Sequence, residues 1–148
     1  MTITNHFATG ALIAYAIKQP YLAFPIAFAS HFALDVLPHY GAPEIKSLTG
    51  LLKRPSFIVM ETLDFVGIIT IVILLRNQPQ LLLGGLAAAS PDVVWFYRLL
   101  RHKSNTEAKQ NRLTHFHARI QWGEREWGIV IEIAYFIGIY WVLSQQIR

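Results

Sequence analysis

The stretch FIVMETLDFVGIITIVILL, residues 57–75, indicates whether this chain folds in water or in a membrane. Only Glu61 and Asp64 carry a charge in these 19 residues. About 20 consecutive apolar residues are what a helix needs to cross a hydrocarbon core of ~30 Å. We therefore interpret the stretch as a membrane span that has to accommodate two carboxylates.

Apolar segments of the same kind lie on both sides of this stretch. The pattern predicts an all-α integral membrane bundle of about five transmembrane helices in a single domain, residues 1–148. A composition of 53% hydrophobic and 15% charged residues agrees with this class. The break at Lys18–Pro20 leaves two alternatives for the first pair, two short spans or a helical hairpin. The other four segments are His6–Ile17, Tyr21–Pro38, Leu81–Leu100 and Trp127–Leu143.

The basic residues predict the orientation of the bundle. If the five segments alternate, ten of the 13 lysines and arginines fall in two loops on one side, residues 40–56 and 98–126. The positive-inside rule then puts both loops and the N-terminus in the cytoplasm, with the chain in the cell (inner) membrane. Residues 101–126 form a basic cytoplasmic connecting segment. Since topology explains the net charge of +4, no nucleic acid partner is expected.

The ionisable residues inside the spans all fall in the predicted cytoplasmic half. His31 and Asp35 are four residues apart on one helical face, as are Asp35 and His39. A charged side chain near the bilayer centre costs about 2.5 to 3.5 kcal/mol, so such carboxylates need a neutralising partner. Imidazoles and carboxylates without any cysteine predict one or two divalent metal ions, zinc first, with manganese or iron as alternatives. The candidate ligands are His6, His31, Asp35, His39, Glu61, Asp64 and Asp92.

Each of these residues also has a purely structural interpretation. His31 and Asp35 can form a buried hydrogen bond that joins two helices. His6 can lie at an interface, and His39 can cap a helix end. Glu132 can hydrogen-bond a neighbouring helix. Pro91 can simply kink its helix, although a proline also frees backbone carbonyls, as in helices that line a site.

A basic stretch, QNRLTHFHARIQWGEREWG at residues 110–128, is the other informative part of the sequence. The simpler interpretation is a solvated face that binds lipid headgroups. The alternative is a lid over the inner opening, in which an arginine meets a phosphate and a histidine completes the metal site. Arg112, Arg119 and His117 are the candidate substrate-binding residues, and His115 is a candidate catalytic residue.

Four motifs carry a family resemblance: NHFATG (5–10), SHFALDVLPHY (30–40), AAASPD (87–92) and NRLTHFH (111–117). Together they resemble the small membrane-bound metal-dependent hydrolases, a group often compared with zinc-dependent phospholipase C. The resemblance implies roles for His6, Asp92 and His115, and the spacing of His31 and Asp35 is similar to the H-x-x-x-D metal motif of the phospholipases.

The chain also departs from this pattern. Val94 stands where a further aspartate would follow, and Asn111 stands where a histidine would precede the arginine. The number of metal ions and the identity of the acid–base group therefore stay open.

The expected function is hydrolysis of a phosphate ester on a lipid or polyprenyl substrate at the cytoplasmic interface. Glu61, Asp64 and His115 are the candidate catalytic residues. One alternative is a metal-ion or proton carrier, which would need polar residues along a route to the far side, whereas the outer halves of these segments lack them. The other is a structural membrane protein whose polar side chains only join helices. The pattern predicts no particular oligomeric state.

Overall fold

The computed structural model describes residues 1–41, 48–101, 116 and 119–146, and the regular elements among them are helices. The all-α class is confirmed, and the five long helices lie where the five apolar segments predicted them. The elements are α1 Ile3–Ile17, α2 Pro20–Asp35, the one-turn α3 Leu48–Leu51, α4 Pro55–Leu75, α5 Pro79–Arg101, a 3-10 turn Gln121–Gly123 and α6 Gly128–Gln146.

Prolines mark three of the helix starts. Helices α2, α4 and α5 each begin with one, at Pro20, Pro55 and Pro79. Proline suits this position because the first N–H groups of a helix have no partner inside it. At the end of α1, Lys18 adopts a left-handed backbone conformation with φ 43°. The break predicted at Lys18–Pro20 is thus a tight turn that pairs α1 with α2.

Helix α1 lies at the centre of the bundle, in contact with α2, α4, α5 and α6. Five consecutive residues of its first turns, Thr4 to Ala8, are buried. A helix that buries residues on every side is surrounded by other elements. The polar side chains of α1 therefore have to find their partners inside the protein.

Small residues let α1 and α5 approach backbone to backbone. Gly10 and Ala14 on α1 face Gly84 and Ala88 on α5, and both pairs have the spacing of a small-xxx-small motif. A Cβ added to Gly10 would come within 2.6 Å of the Ala88 Cβ, and one added to Gly84 within 2.5 Å of the Ala14 Cβ. The close approach brings the first half of α5 against the middle and second half of α1.

The interior has an apolar end and a polar end. The apolar end is a buried cluster that joins α1 to the C-terminal halves of α4 and α6 and to the start of α5. The buried polar residues lie toward the start of α1, the end of α2 and the start of α6. The apolar cluster comprises Phe7, Ala8, Ala11, Ile71, Leu75, Leu81 and Leu143.

Two helices, α4 and α6, are long and apolar enough to cross a membrane, with mean hydropathies of 2.4 and 1.5. Only 22% and 17% of their most apolar windows are buried inside the protein. Core helices of a soluble protein bury most of such surface, whereas these two expose large side chains such as Leu63, Phe65, Val130 and Ile137. By length and composition, both helices therefore qualify as candidate membrane spans.

The chain leaving α2 lies beside the chain entering α6. His39 N–H donates to Gly123 O at 3.4 Å, and Arg125 N–H donates to His39 O at 3.0 Å. Gly128, the first residue of α6, packs directly on the His39 backbone, where a Cβ would overlap the carbonyl group. These contacts hold the start of α6 at the polar end.

Candidate metal centre

Two neighbouring helices bring three buried ionisable side chains together at the polar end. His6 comes from α1, and His31 and Asp35 come from successive turns of α2. Each offers one ligand atom, and these atoms lie within 4.8 Å of one another. His6 Nε2 is 3.1 Å from Asp35 Oδ1, and His31 Nε2 is 3.2 Å from Asp35 Oδ2. Three of the predicted ligands thus form one group.

A backbone carbonyl orients the imidazole of His31. His31 Nδ1 is 2.9 Å from Ala88 O, and because a carbonyl only accepts, Nδ1 has to carry the proton. In a neutral ring the lone pair is then on Nε2. That nitrogen faces Asp35 Oδ2 and also Asp92 Oδ1, at 3.7 Å. A lone pair between two carboxylates favours either a proton or a metal ion among them.

The sequence around Pro91 explains part of this arrangement. Proline has no N–H to donate to the carbonyl four residues earlier in a helix, which here is Ala87 O. The Ser90 hydroxyl donates to Ala87 O at 2.9 Å instead. The next carbonyl, of Ala88, accepts the hydrogen bond from His31. The proline-containing turn of α5 therefore both supplies the group that orients His31 and carries Asp92.

His6 completes the group from α1. Its ring stacks on the His31 ring with centroids 3.9 Å apart and an interplanar angle of 23°. Among the described residues its Nδ1 is buried without a hydrogen-bond partner. Purely structural buried histidines usually pair both nitrogens. The hydrogen bonds of the described residues therefore account for one of the two nitrogens of this ring.

The spacing of the donor atoms fits a metal ion. Ligand bonds of about 2.1 Å in a tetrahedral zinc site set the donor atoms about 3.4 Å apart. The three nitrogen–oxygen distances of 3.1, 3.2 and 3.7 Å bracket that value. Imidazole nitrogens with carboxylate oxygens are also a donor set that zinc, manganese and iron accept. The residues present therefore fit one divalent metal ion, held by His6, His31 and Asp35, with Asp92 beside them.

A positively charged group of the protein itself contacts Asp35. The α-amino group of Met1 is 2.9 Å from Asp35 Oδ1. A metal ion and this amino group would compete for Oδ1, whereas Oδ2 faces His31. The alternative to a metal centre is therefore a metal-free group in which the Met1 amino group neutralises Asp35. Experiments have to distinguish these two interpretations.

The structure gives Asp64 a different place from the one that its spacing predicted. Its Oδ2 accepts Ile3 N–H at 3.0 Å and its Oδ1 accepts Thr4 N–H at 2.7 Å. The first N–H groups of α1 have no partner within the helix, and no side chain of Thr2 caps them. Both oxygens of Asp64 are therefore used as a cap on α1, and Asp64 does not belong to the group around Asp35.

Glu132 caps the same helix from the other side. Its Oε2 accepts Thr2 N–H at 2.9 Å and its Oε1 accepts Tyr40 N–H at 3.0 Å. Asn5 Nδ2 also donates to the backbone carbonyl of Glu132. The interpretation of Glu132 as a helix-joining residue agrees with these contacts. Its two acceptors connect α6 to α1 and to the chain after α2.

The remaining candidate residues lie apart from the group or outside the described residues. Glu61 is exposed on α4. His39 Nδ1 donates to Leu37 O at 2.8 Å, and its Nε2 is 3.9 Å from Glu124. Burial lowers the pKa of His39. Arg119 is exposed, while Arg112, His115 and His117 lie outside the described residues.

Comparison with known proteins adds no further assignment. The chain matches no protein-family model, no curated protein and no solved structure. The resemblance to small membrane-bound metal-dependent hydrolases therefore stays a prediction that depends on the short motifs quoted above.

Proposed function

We propose that this chain is a membrane-embedded, metal-dependent hydrolase that cleaves a phosphate ester of a lipid or polyprenyl substrate. The observation that supports it most is the buried group of His6, His31 and Asp35, in which Ala88 O directs the His31 Nε2 lone pair at carboxylates. Zinc is the first choice of metal, with manganese or iron as alternatives. The described ligands suit one ion. A second ion would need ligands from other parts of the chain.

The chain's own residues have separable roles in this proposal. His6, His31 and Asp35 hold the metal, which when bound supplies Lewis-acid chemistry that acidifies water and polarises a phosphoryl oxygen. Asp92 is the proposed proton acceptor, because its side chain is 17% exposed while the other three are almost fully buried. This assignment replaces Glu61 and Asp64, since Asp64 caps α1 and Glu61 is not among the side chains that converge around His31 and Asp35.

One contact from the basic segment supports its proposed function as a lid. The Phe116 ring lies 5.8 Å from the Phe32 ring, and Phe32 in turn contacts the His31 ring at 5.3 Å. Phe116 therefore lies close to the metal-binding group. We propose that Arg112 and Arg119 pair with the substrate phosphate, with His117 beside them, and that His115 donates a proton to the leaving group.

We propose that all five long helices cross the membrane, and not α4 and α6 alone. The length, apolar composition and exposure of α4 and α6 support this proposal directly. The short helices α1 and α2 pack against each other and against α5. The buried polar groups lie toward one end of the bundle. With the charge distribution of the loops, this supports five spans with the N-terminus and the metal centre on the cytoplasmic side of the cell (inner) membrane.

The two rival functions are less well supported. A metal-ion or proton carrier needs polar groups along the whole thickness, but the buried polar side chains of the described residues lie toward one end of the bundle. A structural membrane protein accounts for the capping by Asp64 and Glu132. It gives no role to the convergence of two imidazoles on Asp35 with Asp92 beside them.

Metal content of purified variants tests the proposal. The parent should hold close to one equivalent of zinc and hydrolyse a member of a lipid phosphate panel. Asp35→Asn keeps the shape but removes the ligand charge. It should lower metal affinity by more than the roughly 10- to 100-fold typical of losing an outer hydrogen-bond partner, and it should abolish hydrolysis. Glu126→Gln, which removes an exposed carboxylate paired with Arg54, is the matched control and should retain both properties.

A chelator experiment separates the metal-free alternative. A ligand that binds only the folded state adds stability, so a chelator should lower the melting temperature of the parent and of Glu126→Gln but leave that of Asp35→Asn unchanged. If the parent carries no stoichiometric metal and the chelator changes no melting temperature, the Met1 amino group neutralises Asp35 and the proposal is wrong.

A further inference from the structure

A cleft of about 360 Å³ lies between α4 and α6, on a different side of α1 from the metal-binding group. Its volume is within the range of about 300 to 1,000 Å³ of small-molecule sites. Its walls are apolar side chains of the two most apolar helices, among them Leu63, Val66, Ile133 and Phe136. The proposed hydrolase chemistry does not use this cleft.

The mouth of the cleft faces the lipid-exposed surface of the protein. Leu63, Val66 and Ile133 line it, and their side chains are 59%, 55% and 49% exposed. The neighbouring surfaces of both helices are equally apolar and exposed. A hydrocarbon chain from the bilayer can enter from the side without crossing any polar surface. The apolar walls and lateral opening therefore suit a lipid chain better than a water-soluble molecule.

The end of the cleft toward α1 is polar and electronegative. Thr2, Thr4, Asn5, Asp64 and Glu132 line it. The carboxylates accept backbone N–H groups, and Asn5 Nδ2 donates to Glu132 O, which leaves Asn5 Oδ1 a buried acceptor without a partner among the described residues. None of the residues lining the cleft is a lysine, arginine or histidine. An anionic head would meet two carboxylates and no balancing cation.

We infer that this cleft binds a single-chain amphiphile whose head donates hydrogen bonds and is not anionic, a long-chain alcohol being the simplest member of the class. The chain lies between α4 and α6, and the head lies at the α1 end, near Asn5. Phosphate and carboxylate heads are rejected there. The inference is independent of the proposed function, because neither the cleft nor its ligand involves the metal ligands.

A photoreactive long-chain alcohol tests the inference on the full chain in phosphatidylcholine nanodiscs. Illumination followed by mass spectrometry should place the label on the lining residues of α4 and α6. Unlabelled octadecanol should compete, and octadecyl phosphate of the same chain length should not. A chelator should change nothing, so a failure here is distinguishable from a failure of the metal centre.

Paired variants check that the cleft itself is the site. Val66 lines the cleft and Val59 on the same helix does not, yet their exposures, 55% and 56%, are almost equal. Val66→Phe should weaken alcohol binding about tenfold, because the phenyl ring fills space that roughly two methylene groups of the bound chain would occupy. Val59→Phe should leave alcohol binding unchanged. Ile133→Trp against Ile137→Trp repeats the comparison on α6. Labelling spread evenly over both helices, equal competition by the phosphate, or no effect of Val66→Phe and Ile133→Trp would overturn the inference.

Discussion

At the scale of the residue, His31 determines how the candidate centre is organised. One ring nitrogen donates to Ala88 O and the other faces Asp35 and Asp92. The position of one proton thus decides whether the ring presents a lone pair to a metal ion. The hydrogen bond to the carbonyl plays the part of the partner that usually orients a metal-bound histidine.

Two substitutions at His31 separate its two functions. His31→Asn places an amide N–H close to the position of Nδ1, so the bond to Ala88 O can persist while the ligand nitrogen is lost. His31→Leu loses both. Metal binding should disappear in both variants, and His31→Asn should be the more stable by about 1 kcal/mol, the typical net value of one hydrogen bond. Metal analysis with thermal unfolding under chelator measures both. Stoichiometric metal in His31→Asn would exclude His31 as a ligand.

The pairing of His31 with Asp35 was predictable because it depends only on spacing along one helix. The role of Ala88 O was not, since every residue has a carbonyl and nothing in the side chain distinguishes this one. Asp64 shows a different limit. Its depth in the span predicted a metal ligand, but the sequence does not reveal that the N-terminus of α1 lies beside it and needs acceptors.

At the scale of the element, α1 depends on other helices for its cap. Asp64 on α4 and Glu132 on α6 together accept the N–H groups of Thr2, Ile3 and Thr4. Their negative charges also lie at the positive end of the helix dipole. His6 is only one turn further along α1. The two carboxylates therefore position one of the proposed metal ligands without touching the candidate metal centre.

Replacing the cap should reduce stability rather than metal binding. Asp64→Ala leaves two N–H groups of α1 without acceptors, at a cost of about 1 to 3 kcal/mol for each one that is buried. Asp64→Asn keeps one acceptor oxygen and should be intermediate. The folded fraction of Asp64→Asn should still hold the metal. Thermal unfolding and metal analysis of the same samples provide the test. Loss of metal at unchanged stability would restore the predicted ligand role of Asp64.

At the scale of the whole molecule, the buried polar residues and the exposed apolar surface occupy different parts of the protein. The buried polar residues lie at one end, and the exposed surface of α4 and α6 is apolar. The boundaries of the long helices were predictable to within a few residues from hydropathy and proline positions. The central place of α1 was not, because a short helix with small residues gives no signal of what surrounds it.

Single cysteines test the five-span arrangement, and the chain has no cysteine of its own. Lys18 and Arg76 lie in the predicted external turns, and Lys53 and Arg125 lie on the predicted cytoplasmic side; all four are exposed. In intact cells an impermeant maleimide should label Lys18→Cys and Arg76→Cys. It should reach Lys53→Cys and Arg125→Cys only after permeabilisation. An unreactive Lys18→Cys beside a reactive Arg76→Cys would make α1 and α2 a re-entrant hairpin.

The capping of α1 also has a consequence for biosynthesis. Thr2 and its acceptor Glu132 are separated by 130 residues along the chain. At a translation rate of about 5 to 20 residues per second, the ribosome needs roughly 10 s between the two. During that interval α1 and α2 can contact each other and the helices already synthesised, but not α6. Assembly of the polar end is completed only when the last helix emerges, so a chain interrupted before α6 is released with α1 still lacking one of its two capping carboxylates.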